Sequence, residues 1–255
     1  MKPINSKQTI EQLVNFLKTS FQKAGFSSAV IALSGGVDSA TSCALTVQAL
    51  DADNVYPVLL PYGALSSQAT IDAVTVVENL GISSFHVARI DIKPIVDPLI
   101  AREPGMDNVR RGNAMARARM MVLYDQAKKR NALVVGTENK TEHLLGYFTR
   151  FGDEASDIEP LRNLYKTQVY ELARYLNLPD VVATKAPTAG LWEGQTDEGE
   201  FGFTYKDADK ILALYADEHK TVEEMIAAGC NKDIVDRVLG RLLTNAYKHN
   251  LPMLP

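Results

Sequence analysis

The residues Ser34-Gly-Gly-Val-Asp-Ser39 have the types and spacing needed to hold a phosphate. They follow a short apolar run, Ala29 to Leu33, that reads as a buried strand, and they precede a helix over about Ser39 to Leu50. Adjacent glycines let the backbone take positive φ and approach a ligand with no Cβ in the way. The following helix aims unpaired N–H groups and the positive end of its dipole at the loop, where anions bind. The Gly-Lys-Ser/Thr ending of a P-loop is absent. A Gly-Gly pair alone marks only a tight turn, whereas the whole string in a strand–loop–helix setting points to a nucleotide phosphate.

A second loop, Gly136-Thr-Glu-Asn-Lys-Thr-Glu142, also follows a strand-like run. Asp38 and Glu142 are therefore expected at one edge of a sheet. Two carboxylates beside a triphosphate suit Mg²⁺, which takes few protein oxygens and completes its shell with water and phosphate. Glu142 has a second reading, as an acid that stabilises the first turn of a helix starting near Thr141. Lys166, at another helix start, either reaches an anion held there or is simply solvated. The stretch Gly146-Tyr-Phe-Thr-Arg-Phe-Gly-Asp153 is too rich in glycine, aromatics and charge to serve a buried sheet and reads as a functional loop. A long helix, about Asn108 to Arg130, carries Arg110, Arg111, Arg117 and Arg119. Arg117 and Arg119 point about 200° apart, so one can line a cleft while the other meets solvent or a partner. Position alone singles out neither.

Positioning these loops requires strands alternating with helices. Strand candidates are Ala29–Leu33, Val55–Leu60, Ser84–Ile90 and Ala132–Gly136. Between them lie a helix over about Gln68 to Leu80, capped by Ser67 and closed by Gly81, and an acidic, Pro-punctuated connection or short helix, Asp91 to Arg102. The alternation predicts an α/β fold, a Rossmann-like parallel sheet with helices on both faces. Ligands then sit beyond the carboxyl ends of strands, where strand order reverses. The last third reads as an amphipathic helix over Tyr165–Leu176 and an irregular stretch over Asp180–Phe203. Closing helices follow over Lys206–Ala216, Val222–Ala228 and Asp233–Lys248. No repeat or flexible linker interrupts the chain, which predicts a single domain over residues 1–255 with a C-terminal helical extension.

With 46% hydrophobic and 23% charged residues the chain has the composition of a soluble globular protein. A net charge of −4 argues against RNA or DNA as the main partner. No apolar run approaches the roughly 18 residues of a membrane helix, and the N-terminus lacks a signal core. Cys43 and Cys230 are too few for a metal knuckle or a disulfide framework. A reducing cytoplasm is the expected location.

Taken in order, Ser34-Gly-Gly-Val-Asp-Ser39, Asn113-x-x-Ala-Arg-x-Arg-Met120, Gly136-Thr-x-Asn-x-x-Glu142, Gly146-Tyr-Phe-Thr149, Gly152-Asp153 and Lys185-Ala-Pro-Thr188 resemble the motifs of NAD synthetases. The first loop alone is similar to that of the wider ATP pyrophosphatase superfamily, whose fold is of the adenine nucleotide α-hydrolase type. The resemblance implies ATP-dependent amidation of nicotinic acid adenine dinucleotide (deamido-NAD) through an acyl-adenylate, giving NAD, AMP and pyrophosphate. It implies that Ala32, Leu33, Ser34, Gly35, Gly36, Val37, Asp38, Ser39, Thr137, Lys166 and Thr188 contact ATP, with Asp38 and Lys166 catalytic. Asp38 and Glu142 match Mg²⁺ ligands; Arg117, Arg150, Asp157, Tyr247 and Lys248 match positions that hold deamido-NAD. Arg150 stands where many bacterial relatives carry lysine, and Tyr247 where they carry histidine. A homodimer is implied as well.

Glutamine use needs a second domain with a cysteine nucleophile, and neither the length nor a suitably embedded cysteine is present, so free ammonia is the expected nitrogen source. Two other readings compete. A tRNA-modifying or GMP-forming ligase is disfavoured because the Arg117 to Lys185 motifs fit neither well, and the acidic balance and missing Cys-x-x-Cys pair count further against tRNA work. A regulatory module that binds ATP without turnover is disfavoured by the pairing of Asp38 with Glu142.

Overall fold

The computed structural model describes residues 3–249. The elements run α1 (Ser6–Ala24), β1 (Ala29–Ala32), α2 (Val37–Leu50), β2 (Val55–Leu59), α3 (Ser67–Asn79), β3 (Ala88–Arg89), α4 (Lys93–Arg102), α5 (Asn108–Arg130), β4 (Leu133–Val135), α6 (Lys140–Leu145), α7 (Lys166–Tyr175), α8 (Asp180–Ala183), α9 (Asp197–Phe201), α10 (Tyr205–Leu212), α11 (Val222–Ala227) and α12 (Lys232–Asn245).

The four strands form one parallel sheet in the order β3-β2-β1-β4. The chain builds outward from β1 to β3, then returns through α4 and α5 to place β4 against the free side of β1. Strand order therefore reverses between β1 and β4, and the crevice beyond their carboxyl ends is the expected ligand position. Alternate side chains of the strands enter opposite layers, as a period of two demands. Ala29 and Ile31 pack with α1, α2 and α7, while Val30, Val58 and Val134 pack with α4 and α5. Pro57 lies inside β2, where a missing N–H would break a ladder. Here Pro57 pairs with Ile31 of β1, while pairing with β3 begins only at Val58. A third core, built on Leu145, Phe201, Tyr205, Ile211 and Val238, joins α6 to the C-terminal helices.

Several local expectations are revised. The helix α1 was not assigned from the sequence. Asn5 caps it by accepting from Gln8 N at 3.1 Å, Gly25 ends it at φ +76°, and Ile10, Leu17 and Phe21 form its buried stripe. Ser67 is the first residue of α3 rather than its cap; its hydroxyl donates to Ala64 O. Only Ala88–Arg89 of the run Ser84–Ile90 is strand, because Ser84–His86 forms a tight helical turn begun by Ser83, and Phe85 turns out to solvent. Asp91–Arg102 resolves into helix α4, with Pro94 in its first turn, where a missing N–H is tolerated. The stretch Asp180–Phe203 contains two short helices, α8 and α9.

Candidate active site

At the end of β1 the chain enters the loop Ser34–Gly36. Gly35 takes φ +73°, and a Cβ there would lie 2.3 Å from Ala69 O, so no other residue fits. The Ser39 hydroxyl ties the loop: it accepts from Ser34 N at 3.2 Å, lies 3.0 Å from Ser34 Oγ, and donates to Gly36 O at 3.1 Å. Helix α2 starts at Gly36 with no side-chain cap. Its first-turn N–H groups are thereby left for an outside acceptor, as anion binding at a helix N-terminus requires. Ala32, Leu33, Ser34, Gly36, Val37, Asp38 and Ser39 line a cavity of about 630 Å³; Gly35 instead faces α3. Ser42 Oγ donates to Gly136 O at 2.8 Å, fastening this unit to the loop after β4.

That second loop delivers its residues into the same cavity. Asn139 and Glu142 form a capping box at the start of α6: Asn139 Oδ1 accepts from Glu142 N at 3.0 Å, and Glu142 Oε2 faces Asn139 N at 3.5 Å. The other Glu142 oxygen, Oε1, accepts from Lys166 Nζ at 2.9 Å. The helix-start reading of Glu142 therefore holds, and its second oxygen pairs with the buried lysine. Lys166 Nζ also donates to Asp38 Oδ2 at 2.5 Å, while Asn139 Nδ2 donates to Asp38 Oδ1 at 2.9 Å.

Lys166 is only 3% exposed. Burial alone would lower its pKa, but the two carboxylates outweigh that and hold it well above the usual lysine value. Burial raises the Glu142 pKa, the nearby Lys166 ammonium opposes this, and the Asp38 charge adds to it. Asp38 and Glu142 thus converge on one cationic point, and that donor set, two carboxylates with room for water and phosphate, fits Mg²⁺. Among the described residues no cluster of three or more His, Cys, Asp or Glu side chains competes as a metal site.

Thr137 and Thr188 line the cavity, and Thr188 Oγ1 donates to Gln195 O at 2.7 Å. Arg119 lines it too, with its Nε donating to Leu60 O at 3.0 Å and burial lowering its pKa. Arg117 points away: it is exposed, and its Nε reaches Arg150 O at 3.3 Å. The structure thus decides which arginine of the divergent pair turns inward. Arg150 lies over the rings of Phe151 and half-exposed Tyr247, with its guanidinium 5.6 and 5.8 Å from their centroids. Asp157 Oδ2 accepts from Val134 N at 2.8 Å and lines a second cavity of about 480 Å³. Lys248, donating to Gly146 O and Phe148 O at 2.6 and 2.9 Å, lines both cavities. Of the residues matched to the dinucleotide, Asp157 and Lys248 therefore share the second cavity, whereas Arg117, Arg150 and Tyr247 line neither cavity.

Sequence reasoning missed a polar cluster on the far wall. Tyr147 OH donates to Asp197 Oδ1 at 3.1 Å and Glu200 Oε1 at 3.2 Å, Tyr205 OH donates to Asp197 Oδ2 at 2.9 Å, and the Arg241 guanidinium lies over the Tyr147 ring. Its one legible sign was the acidic pair near Asp197 in a stretch otherwise read as irregular.

The chain matches the NAD synthase family over residues 9–252. An NH(3)-dependent NAD(+) synthetase from Fusobacterium nucleatum is 45% identical over 251 residues, 98% of this chain and 96% of the relative. One from Chlorobium phaeobacteroides is 42% identical, covering 95% of this chain and 86% of the relative. Among solved structures, an NMN synthetase from Francisella tularensis superimposes with a TM-score of 0.87 at 37% identity, covering 99% of both chains. The NH3-dependent NAD synthetase from Campylobacter jejuni gives 0.83 at 30% identity, covering 99% of this chain and 100% of that one. The chain, whose Ser34–Ser39 loop, paired carboxylates and buried lysine gather at the β1/β4 crevice, belongs to the NAD synthase family.

Proposed function

We propose that the chain amidates deamido-NAD with free ammonia at the expense of ATP. A carboxylate is a poor acyl donor because oxide is a bad leaving group. Its attack on the α phosphorus of ATP forms an acyl-adenylate and releases pyrophosphate; ammonia then attacks the carbonyl carbon and AMP departs. Such chemistry calls for alignment and charge neutralisation rather than a covalent enzyme intermediate. The observation that carries this reading is the meeting of Lys166, Asp38 and Glu142 beside the uncapped start of α2.

The loop Ser34–Ser39 holds the β and γ phosphates through backbone N–H groups and two hydroxyls, Thr137 and Thr188 contact ATP from the cavity wall, and Lys166 neutralises charge developing around the α phosphate. Asp38 and Glu142 would hold Mg²⁺, which would supply charge neutralisation for the phosphates. Asp157 and Lys248, which share the second cavity, bind deamido-NAD together with Arg117, Arg150 and Tyr247. Arg117, Asp157 and Tyr247 are exposed in the single chain, which supports a homodimer whose second copy completes the dinucleotide site. The high coverage of relatives named NH(3)-dependent supports ammonia as the nitrogen source. Among the described residues no helix is long and apolar enough to cross a membrane, in keeping with a cytoplasmic location.

The test is incubation with ATP, Mg²⁺, ammonium and deamido-NAD, reading AMP, pyrophosphate and NAD together in equal amounts. Efficient use of glutamine by the purified chain would overturn the nitrogen source. The likeness to the NMN synthetase favours one second reading, amidation of the deamido mononucleotide. Comparing kcat/KM for the mononucleotide and the dinucleotide separates the two.

A further inference from the structure

A second lysine reaches the phosphate loop. Lys185 Nζ lies 2.6 Å from Asp72 Oδ2 and 3.5 Å from Gly35 O. Asp72 is 1% exposed and its other oxygen accepts from Gln68 Nε2 at 2.8 Å. Helix α3 carries Asp72 directly against the loop, since a Cβ on Gly35 would stand 3.0 Å from Asp72 Cβ. From the other side, Tyr170 OH donates to Lys185 O at 2.7 Å, so the backbone and the ammonium of Lys185 are both held. Lys185 lines the same cavity as Ser34 and Gly36–Ser39, and its side chain remains 28% exposed.

The other cationic side chains lining that cavity are differently engaged or differently placed. Lys166 is shared by the two carboxylates assigned to the metal, Lys248 is spent on two backbone carbonyls, Arg241 lies over aromatic rings, and Arg119 sits at Leu60 beyond the end of β2. An ammonium has three donors. Asp72 takes one, Gly35 O holds a second only loosely, and one remains for an anion in the loop.

We propose that Lys185 is a catalytic residue of the adenylation step, binding the β and γ phosphates and stabilising pyrophosphate as it leaves; this rests on the adenylation reading above. In that step a carboxylate oxygen bonds to the α phosphorus and the bond from that phosphorus to the bridging oxygen breaks. The bridging oxygen keeps the electron pair and departs with pyrophosphate. Lys185 remains protonated throughout and supplies charge, while Asp72 aims it. The leaving oxygen gains negative charge in the transition state, so a fixed ammonium there acts more strongly on that state than on bound ATP.

The test uses the full chain with Mg²⁺ and inorganic pyrophosphate as the probe, by calorimetry and by product inhibition. Lys185→Met is expected to weaken pyrophosphate binding about 10- to 100-fold, the range of a charge-assisted hydrogen bond, and to lower kcat, with inhibition by AMP and KM for deamido-NAD unchanged. Asp72→Asn, which keeps the ammonium but not its anchor, is expected to hold pyrophosphate within about threefold of the unaltered chain. If Lys185 merely braces the fold, both variants lose pyrophosphate equally, and that result overturns the proposal, as does unaltered pyrophosphate affinity in Lys185→Met. Trp192, the chain's single tryptophan and part of the cavity wall, reports folding by fluorescence. Should Lys185→Met not fold, Lys185→Gln, which keeps a donor for Asp72, replaces it with the same expected loss. An unaltered enzyme that bound pyrophosphate through Lys185 but formed no AMP would refute the adenylation reading and leave the lysine's role as a phosphate ligand standing.

Discussion

The Lys166 ammonium lies 2.5 Å from a carboxylate oxygen of Asp38, a residue 128 positions earlier in the chain. Glu142 accepts from the same ammonium at 2.9 Å, so one buried cation balances two carboxylates. Removing it leaves like charges facing each other in a poorly solvated place. Lys166→Met is expected to destabilise the fold by about 3 kcal/mol, the scale for breaking a buried ion pair. It is also expected to lower the rate of AMP formation by about 100-fold or more. Urea unfolding and a single-turnover assay check the two parts separately; unchanged stability would show that the three charges are not coupled.

Asp38→Ala keeps helix α2, whose start depends on the loop backbone, and removes half of the proposed metal site. AMP formation is expected to be abolished with the thermal midpoint within a few degrees of the unaltered chain. Titrating Mg²⁺ decides the matter: normal turnover at saturating Mg²⁺ would remove Asp38 from the site.

Gly35→Ala puts a methyl group 2.3 Å from the Ala69 carbonyl oxygen at φ +73°. The strained conformation alone costs about 1–2 kcal/mol, and the clash forces the loop off α3. The expected outcome is lost ATP affinity with secondary structure retained, read by nucleotide binding and circular dichroism. By contrast, no neighbour stands within 4 Å of a Cβ placed on Gly25, although φ +76° there strains a substitution too.

Arg150 and Tyr247 stack outside the nucleotide cavity, and neither lines it. Arg150→Ala is therefore expected to raise KM for deamido-NAD about tenfold, the loss of one charge-assisted contact, while KM for ATP stays put. A change in KM for ATP of the same size would place Arg150 in the wrong site.

Burial pushes the Glu138 carboxyl up to about 8 from an ordinary value of 4.5, despite Arg162 at 2.8 Å. Above pH 4.5 the unfolded chain releases this proton while the folded chain keeps it. Stability therefore falls as pH rises towards 8, by up to ~1.4 kcal/mol per pH unit. His143, whose pKa burial lowers to about 4, acts in the opposite direction between pH 4 and 6.5, while Glu142 and Glu159, raised to about 8 and 7, act in the same direction as Glu138. Glu138 is therefore read from the difference between variant and unaltered chain over the window pH 6.5 to 8. Glu138→Gln should gain about 2 kcal/mol on the unaltered chain across that window. Thermal midpoints at both ends test it, and a constant gap would contradict the assignment.

Much of the sheet was legible because its strands are buried on both faces and read as short apolar runs. The strand expected over Ser84–Ile90 shrank because only its end meets β2. Helix α1 went unassigned although Ile10, Leu17 and Phe21 stand at helical spacing; the signal was present and the stretch was read only for export. Thr196 and Asp197 start a helix inside the irregular stretch through a cap, Thr196 Oγ1 to Gly199 N at 3.3 Å, a signal of one residue that a run of apolar spacing does not reinforce.

By itself the sequence determined what is local. The loop Ser34–Ser39 must be glycine-flexible and must feed a helix N-terminus, because backbone conformation and cap chemistry are settled within a few residues. Helical periodicity likewise required Arg117 and Arg119 to diverge. Only the tertiary structure decided which of them faces the cavity, that Glu142 serves both its helix cap and Lys166, and that Lys185 stands over the phosphate loop on Asp72. Those relationships join residues up to 150 positions apart, and they exist because the whole sheet and its helices pack together, β4 returning to the free side of β1. That return is a property of packing the whole sheet, and no stretch of sequence encodes it alone.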